Sequence, residues 1–542
     1  MVILSMKGME NTMVKLSKLL DSIEIVERFN DKDLTVSGIA YHSQKVSKNN
    51  IFVCIKGYKV DGHKYLAQAV KSGAIAAVVE DFQDEIDIPQ YKVQDSRIAL
   101  AQLAASFYEN PSRAIKCIGI TATNGKTSTS YMTNAILENH GLKTGLIGTV
   151  TIKTDKEFIP SQLTTPESLD LQYYLRQMIN HNISHVTMEV SSSALELNRV
   201  KEVEYDIITL NNISREHIDT HGSFEKYFET KSKFITNADE NSIAVLNLDC
   251  PYSSSLVNKT KAQVITFGIN NKEGHIHCRN LDLTTGRGRF TVEIMKEFTV
   301  DGMEYKPSEF EIELSVPGLH SVYNSLVAII IGLICGVPIT IIQETLNTFV
   351  GVERRFEFIF EDDIKIIDDH FANPGNINVT LQTLEFMDYK KLHLVYAIRG
   401  ERGTVVNREN SETIVEWAPK LGFDEIITTR SVSHVTDKDK VTNDELRVFQ
   451  EVMNEANIKI KLFDELTDAI IYALSKAEEG DLILLAGCQG MDYGAEIALR
   501  QIHKTRSEYP KEKLFYPLRN RVAGISNEMK IENILEIRKF DQ

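Results

Sequence analysis

Cysteine is scarce. Six cysteines (54, 117, 250, 278, 335 and 488) are scattered through 542 residues, with no Cys-x-x-Cys pair. That pattern excludes a dense disulfide framework and fits a reducing cytoplasm. Long hydrophobic runs are missing too. The longest, from about Leu326 to Val337, is roughly a dozen residues, whereas a membrane span needs ~20, so it predicts a buried helix. The opening Met1-Val-Ile-Leu-Ser-Met-Lys7 is too short an apolar run for a signal peptide, and Met6, Met9 and Met13 are alternative starts. Positive charge is not in excess: 60 Lys and Arg face 76 Asp and Glu, for a net −16. That argues against a general nucleic-acid binder, though not against a local basic pocket for phosphates. The expectation is a cytoplasmic, monomeric protein with no membrane span, no nucleic-acid partner and small-molecule substrates.

What is present reads as an α/β protein of two to four domains, at roughly 100–200 residues each. The first part mixes short strands (Ile51-Phe-Val-Cys-Ile55, Ala74-Ile-Ala-Ala-Val-Val79) with helices such as Ile98 to Tyr108. Asn110-Pro111-Ser112 is a breaker and a domain boundary. A strand over Lys116–Thr121, a glycine loop and a helix from about Ser128 to His140 follow, with Gly141 where a C-terminal cap glycine belongs. From about Ala262 to Val316, alternating runs such as Arg289–Ile294 and Phe310–Leu314 predict inserted antiparallel strands. Beyond Glu353, strand-like pieces at Lys365–Asp368, Lys391–Ala397, Glu425–Thr428, Lys459–Phe463 and Asp481–Ala486 alternate with helical stretches, the pattern of a parallel sheet. No repeat or low-complexity tract is present, and the charged tail after Tyr509 fits neither pattern.

The loop Gly119-Ile-Thr-Ala-Thr-Asn-Gly-Lys-Thr127 carries the strongest chemical signal. A phosphate loop needs glycine for close backbone approach, a lysine for the terminal phosphates and a hydroxyl for magnesium. Gly125, Lys126 and Thr127 meet those needs, and the following helix adds its positive end. The common GxxxxGK[ST] spacing is not met, because Gly119 lies one residue too far upstream.

Thr121-Ala-Thr-Asn-Gly-Lys-Thr127 instead resembles the Thr-Gly-Thr-Asn-Gly-Lys-Thr loop of the Mur ligase family, with Ala122 in place of glycine. An alanine there is tolerated only at negative φ. Further matches follow in the family's order. Leu163-Thr-Thr-Pro166 resembles the segment that meets the nucleotide-sugar substrate. Met188-Glu-Val-Ser-Ser-Ser-Ala-Leu195 with Arg199 resembles the Met-Glu-Val-Ser-Ser-His-Ala-Leu signature of the muramyl-tripeptide synthetases. Asn212-Ile-Ser-Arg-Glu-His-Ile-Asp-Thr-His-Gly222 is similar to their Asn-Leu-Ser-Arg-Asp-His-Leu-Asp-Tyr-His-Gly. The matches run from about residue 40 to 500.

The resemblance implies a three-domain architecture: residues 1–111 for the UDP-linked peptide acceptor, 112–352 for a P-loop ATPase core, and 353–542 for a Rossmann-like amino-acid-binding domain. It implies ATP, Mg2+ and an acyl-phosphate ligase reaction on a muramyl peptide, in peptidoglycan synthesis. Thr123, Asn124, Gly125, Lys126, Thr127, Ser128, Asn324, Arg355 and Asp369 would bind the nucleotide. Lys126, Glu189, His217 and Lys231 would be catalytic. Thr127 and Glu189 would hold one magnesium, and His217 with a carbamoylated Lys231 a second. Ser43, Thr164, Thr165, Ser191, Arg199 and Arg402 would meet substrate. Carbamoylation needs a neutral amine, so Lys231 is expected where its pKa is lowered. Other readings stay open: Glu189 as a paired structural carboxylate, Lys231 as a surface lysine, His217, Asp219 and His221 as a transition-metal cluster, and His275-Ile-His-Cys278 as a metal site or as solvent-facing alternation.

Departures cluster in substrate recognition. The family's Asp-Ser-Arg appears as His42-Ser43-Gln44. Its Asp-Asn-Pro-Arg, whose arginine can hold a free carboxylate, aligns near Thr429-Arg-Ser-Val-Ser433. Its Gly-Lys-Gly-His-Glu appears as Gly487-Cys-Gln-Gly-Met491, and its Tyr-Ala-His-Thr-Pro as His370-Phe-Ala-Asn-Pro374. Gly400-Glu-Arg402 keeps the character of Gly-Asp-Arg, so Arg402 and Arg408 are candidates for anionic groups or solvated arginines. Three functions remain: a muramyl-peptide ligase, a Mur-type ligase acting on a pseudomurein peptide, a polyamino acid or a secondary metabolite, and a non-catalytic nucleotide-binding partner protein.

Overall fold

Apolar β-branched runs bounded by glycine, asparagine and proline organise the chain around three sheets. The computed structural model describes residues 13–57, 60–155, 157–214, 223–506, 509–519, 521 and 524–529. The first sheet has five strands, β1 (Glu27–Phe29), β2 (Gly38–Ala40), β3 (Asn50–Val53), β4 (Ala74–Val79) and β5 (Gln90–Lys92), in the order β1-β5-β4-β3-β2. Helix α1 (Ser96–Phe107) is capped by Asp95, whose carboxylate accepts from the N–H groups of Arg97 and Ile98.

The second sheet has eleven strands. They are β6 (Lys116–Thr121), β7 (Thr144–Ile147), β8 (Thr151–Thr154), β9 (Glu157–Pro160), β10 (His185–Glu189), β11 (Ile207–Leu210), β12 (Ile243–Asn247), β13 (Gln263–Gly268), β14 (Ile276–Asp282), β15 (Arg287–Ile294) and β16 (Ser308–Pro317). Their order is β9-β8-β7-β10-β6-β11-β12-β13-β14-β15-β16. The run from β7 through β14 is parallel, and β14, β15 and β16 pair antiparallel. The antiparallel insertion therefore starts one strand later than the sequence suggests, since Gln263–Gly268 belongs to the parallel core. The apolar run becomes α3 (Leu319–Ile334), which packs on α2 (Lys126–Asn139), with every residue from Leu326 to Ile334 buried. Among the described residues no helix is long and apolar enough to cross a membrane.

The third sheet holds β17 (Glu357–Glu361), β18 (Lys365–Asp369), β19 (Leu392–Ala397), β20 (Glu425–Thr429), β21 (Lys459–Phe463) and β22 (Leu482–Gly487), ordered β17-β18-β22-β19-β20-β21. All pairs are parallel except β17 with β18. The tail that the sequence left unplaced packs here: Leu514, Phe515, Leu518, Ile525 and Met529 join the apolar core of this sheet.

His275-Ile-His-Cys278 is not a solvent-facing alternation. His277 and Cys278 are buried, His275 Nδ1 lies 2.9 Å from Thr266 Oγ1, and His277 Nε2 lies 3.2 Å from the Ile269 carbonyl. Ile276 and His277 still pair in parallel with Phe267 and Gly268, so this end of the strand is covered, whereas Arg279 and Asn280 beyond it are exposed.

Candidate active site

The glycine loop spans the gap between β6 and α2, at the carboxyl end of a central parallel strand, where α/β folds place ligands. Gly125 has φ +88°, and a Cβ there would sit 2.2 Å from Asn324 Oδ1. Ala122 is buried and is not among the positive-φ residues, as its side chain requires. Lys126 Nζ donates to the carbonyls of Ala122 and Thr123, both at 2.9 Å. Asn324 Oδ1 accepts from Thr129 Oγ1 at 3.2 Å, while its Nδ2 is buried without a hydrogen-bond partner among the described residues. A buried donor against a glycine loop is what a bound anion satisfies.

Asn212 holds the loop in shape. Its Oδ1 accepts from Asn124 N at 3.0 Å, its Nδ2 donates to Asn124 O at 2.9 Å, and its carbonyl accepts from Thr123 N at 2.9 Å. Thr123 is turned inward: its hydroxyl accepts from Ser214 N and lies 3.0 Å from Tyr227 Oη. Ser128 is half-buried in the first turn of α2.

Glu189 ends β10 beside the loop and is 0% exposed. It accepts from Thr127 Oγ1 at 3.0 Å, Thr149 N at 2.7 Å and Thr149 Oγ1 at 3.0 Å. A Cβ on Gly148 would fall 2.3 Å from Glu189 Oε1, so the carboxylate fills a cradle only glycine leaves open. Hydroxyl and carboxylate oxygens at one point are the donor set magnesium prefers. Among the described residues there is no group of three or more His, Cys, Asp or Glu side chains placed to hold a metal. His217, Asp219 and His221 lie outside the described residues.

Lys231 comes from α4 (Phe224–Thr236), which follows β11 in the chain, and reaches the underside of the loop. Its Nζ donates to Thr121 Oγ1 at 2.8 Å and Ala122 O at 3.1 Å, it lies over the Tyr227 ring, and it is 1% exposed. The surface-lysine reading is thereby overturned.

Thr164, Thr165 and Ser191 gather beside Glu189. Thr164 Oγ1 is 3.1 Å from Thr149 Oγ1, and Thr165 Oγ1 donates to the Glu189 carbonyl at 2.8 Å and accepts from Ser191 N. Arg199 is paired with Glu167 at 2.9 Å and donates to Thr165 O. Ser43 stands apart, its hydroxyl donating to Gln68 Oε1 at 3.2 Å.

The third sheet approaches from the other side. Asn376 Nδ2 donates to Asn124 Oδ1 at 2.7 Å. Asp369 accepts from Phe356 N at 2.7 Å and from Thr380 Oγ1, and burial raises its pKa against those bonds. Burial, with Arg355, Arg354 and Arg399 nearby, holds the His370 imidazole well below its ordinary value. Arg355 makes no side-chain hydrogen bond among the described residues. Arg402 is 40% exposed, with a 3.5 Å ion pair to Asp439, and Arg408 is 43% exposed, with a 3.4 Å ion pair to Glu451.

Mur ligase family models match three consecutive stretches: the family's catalytic domain over residues 35–108, its middle domain over 120–332 and its glutamate ligase domain over 354–489. The chain belongs to the Mur ligase family. It is 33% identical over 486 residues, 88% of this chain and 92% of the relative, to a UDP-N-acetylmuramoyl-L-alanyl-D-glutamate--2,6-diaminopimelate ligase of Alkaliphilus metalliredigens. A like-named ligase of Caldanaerobacter subterraneus is 34% identical over 84% of this chain and 90% of its own length. MurF from Acinetobacter baumannii shares the fold at TM-score 0.64 and 20% identity, covering 91% of this chain and 99% of its own. A Thermotoga maritima MurF ligase in complex with ADP does so at TM-score 0.58 and 21% identity, covering 86% and 97%.

As a Mur ligase the chain is an ATP-dependent amide ligase. Reading the sequence missed Asn212 as a loop clamp and Glu445 as the anchor of the Arg402 loop. It missed Arg354 and Arg521 as well, which flank Asp368. For Glu445 in this Mur ligase a local signal was present, the capping box Thr442-x-x-Glu445.

Proposed function

We propose that this Mur ligase joins an amino acid to the carboxylate of a UDP-N-acetylmuramyl peptide, through an acyl phosphate, in peptidoglycan precursor synthesis. The observation that carries the reading is the Thr127–Glu189 pair at 3.0 Å beside the glycine loop. Residues 1–111 bind the acceptor, 112–352 form the ATPase core, and 353–542 select the amino acid. The acceptor carboxylate attacks the γ-phosphorus of ATP and ADP leaves. The amine then attacks the acyl carbon and phosphate leaves.

Two anions must meet, and one such pair at 4 Å costs about 4 kcal/mol at an effective dielectric of 20. Thr127 and Glu189 would hold one Mg2+, and His217 with a carbamoylated Lys231 a second. Bound magnesium supplies neutralising charge at the phosphates. Gly125 gives the phosphates close access to backbone, Lys126 and Asn324 donate to them, and Arg355 and Asp369 receive the rest of the nucleotide. Lys231 is already at the loop, 2.8 Å from Thr121 Oγ1, so a carbamate on its Nζ would extend oxygen atoms into the site. Thr164, Thr165, Ser191, Arg199 and Ser43 orient the acceptor, and Arg402 meets the amino acid.

The relatives are named for 2,6-diaminopimelate. In this chain Ser431 stands in a left-handed conformation with its hydroxyl donating to Gly490 O at 2.6 Å, and Met491 is buried. The Asp-Asn-Pro-Arg motif is absent, and the arginine in its stretch, Arg430, is paired with Asp464 at 3.3 Å, which supports a different amino acid. His42-Ser43-Gln44, with Ser43 engaged by Gln68, favours a second reading: a non-murein acceptor. The test is phosphate release and product mass with ATP, magnesium and an amino-acid panel, with and without UDP-muramyl dipeptide. An adduct of the dipeptide is expected. No product with any UDP-muramyl acceptor would overturn the acceptor assignment, and nucleotide binding without turnover would favour a non-catalytic partner.

A further inference from the structure

Arg355 sits in an unusual turn. The residues on either side, Arg354 and Phe356, have φ +57° and +50°. Bulky side chains rarely occupy that region, and such strain persists only where surrounding groups over-determine the backbone. Here two carboxylates do so. Asp369 accepts from Phe356 N at 2.7 Å, and Glu357 accepts from Arg354 N at 2.8 Å.

Glu357 is in turn held from far along the chain. Arg521 Nη2 donates to Glu357 Oε2 and lies 2.8 Å from Asp368 Oδ2. Its side chain is 1% exposed. Arg354 reaches Asp368 from the other side at 3.4 Å and also pairs with Asp492. Two arginines therefore face three carboxylates, and Asp368 precedes Asp369 on the same strand. Removing Arg521 would leave Arg354 alone against three carboxyl groups, the fully buried Asp368 among them, beside a site built for phosphates. Arg521 lies beyond the 354–489 stretch that matches the family's third domain.

We propose that Arg521 is a positioning residue for Arg355: its guanidinium braces the strained turn through Glu357 and balances the charge of Asp368, setting nucleotide affinity. This rests on the assignment of Arg355 and Asp369 to the nucleotide.

The experiment uses the full chain, a fluorescent ADP analogue with magnesium, and thermal melting without ligand. Arg521→Ala is expected to weaken ADP binding about tenfold. Arg521→Lys, which keeps the charge but not the guanidinium's shape and reach, should lose about threefold. Adding Asp368→Asn to Arg521→Ala should recover most of the affinity, because the excess negative charge is gone. A packing role alone would not be rescued by that second change. Wild-type ADP affinity in Arg521→Ala, or a double variant no better than the single, would overturn the proposal. If Arg521→Ala is insoluble, wild-type affinity in Arg521→Lys would do the same. Absence of ADP binding by the unaltered protein would overturn the nucleotide assignment and this proposal together, whereas binding that ignores Arg521 overturns only the latter.

Discussion

Single residues set the site's tolerances. Gly125 combines φ +88° with a Cβ position 2.2 Å from Asn324 Oδ1. A left-handed alanine costs about 1–2 kcal/mol before any clash. Gly125→Ala should therefore weaken ATP binding at least tenfold in a titration, and wild-type binding would show that the loop's shape is not what holds the phosphates. Glu357 supplies a pH signature. Burial, opposed by Arg521 and reinforced by Asp368, pushes its carboxyl up to about 7. A carboxyl whose folded pKa is raised stabilises the fold below its unfolded value and loses that contribution as pH rises through about 7. The size of the rise corresponds to on the order of 3 kcal/mol. Glu357→Gln should remove this slope: relative to wild type, the variant's melting temperature should gain several degrees between pH 5 and pH 8. A difference that stays constant across that range would refute the assignment.

Elements explain what was legible in the sequence and what was not. Strands Lys116–Thr121 and Lys459–Phe463 fall where their apolar runs and breakers predict, because those signals are local. Gly141, at φ +88°, closes α2 as anticipated. The glycine loop, Glu189 and Lys231 were readable because motif and family order fix them. Asn212 opens a recognised motif, but its role as a clamp was not readable, since its partner Asn124 is 88 residues away. The same holds for Glu445, 43 residues from Arg402. The tail defeated periodicity because its buried apolar residues are interleaved with charge over turns too short to show a period. Glu445 gives the element-scale prediction. Its carboxylate accepts from the N–H groups of Arg402 and Gly403, both at 2.8 Å, and from Thr442 N at 2.9 Å. Burial alone would raise its pKa, but the bonds from Thr442, Gly403 and Arg402 hold it below the ordinary value. Hydrogen bonds to a charged group contribute about 1.5–3 kcal/mol each. Glu445→Gln should lower the melting temperature and raise KM for the amino acid more than KM for ATP, because the loop it anchors carries Arg402. Equal rises in both constants would place Arg402 outside the amino-acid site.

At the scale of the whole molecule, polar contacts join the sheets, among them the Arg287–Glu361 ion pair at 2.9 Å between the second and the third. Arg97 of the first unit lies 3.5 Å from Glu167 of the second, and Tyr41 donates to Asp170 at 2.5 Å. The third unit reaches the glycine loop through Asn376 and Asn124 at 2.7 Å. An acyl phosphate is lost to water unless the site is closed when it forms, so the contact that brings the third unit over the loop governs coupling between ATP use and product. Asn376 begins no strand and fills no core, so Asn376→Ala should leave the melting temperature within about 2 °C of wild type, as surface changes usually stay near ±0.5 kcal/mol. Phosphate released per amide formed should nevertheless rise, because a less firmly docked third unit admits water to the intermediate. The ratio is read by measuring phosphate and product mass in the same reaction at saturating amino acid. A ratio near one in both proteins would mean that the Asn376–Asn124 bond contributes nothing to closure, and would leave the Arg287–Glu361 ion pair at 2.9 Å as the contact between the second and third units to test next.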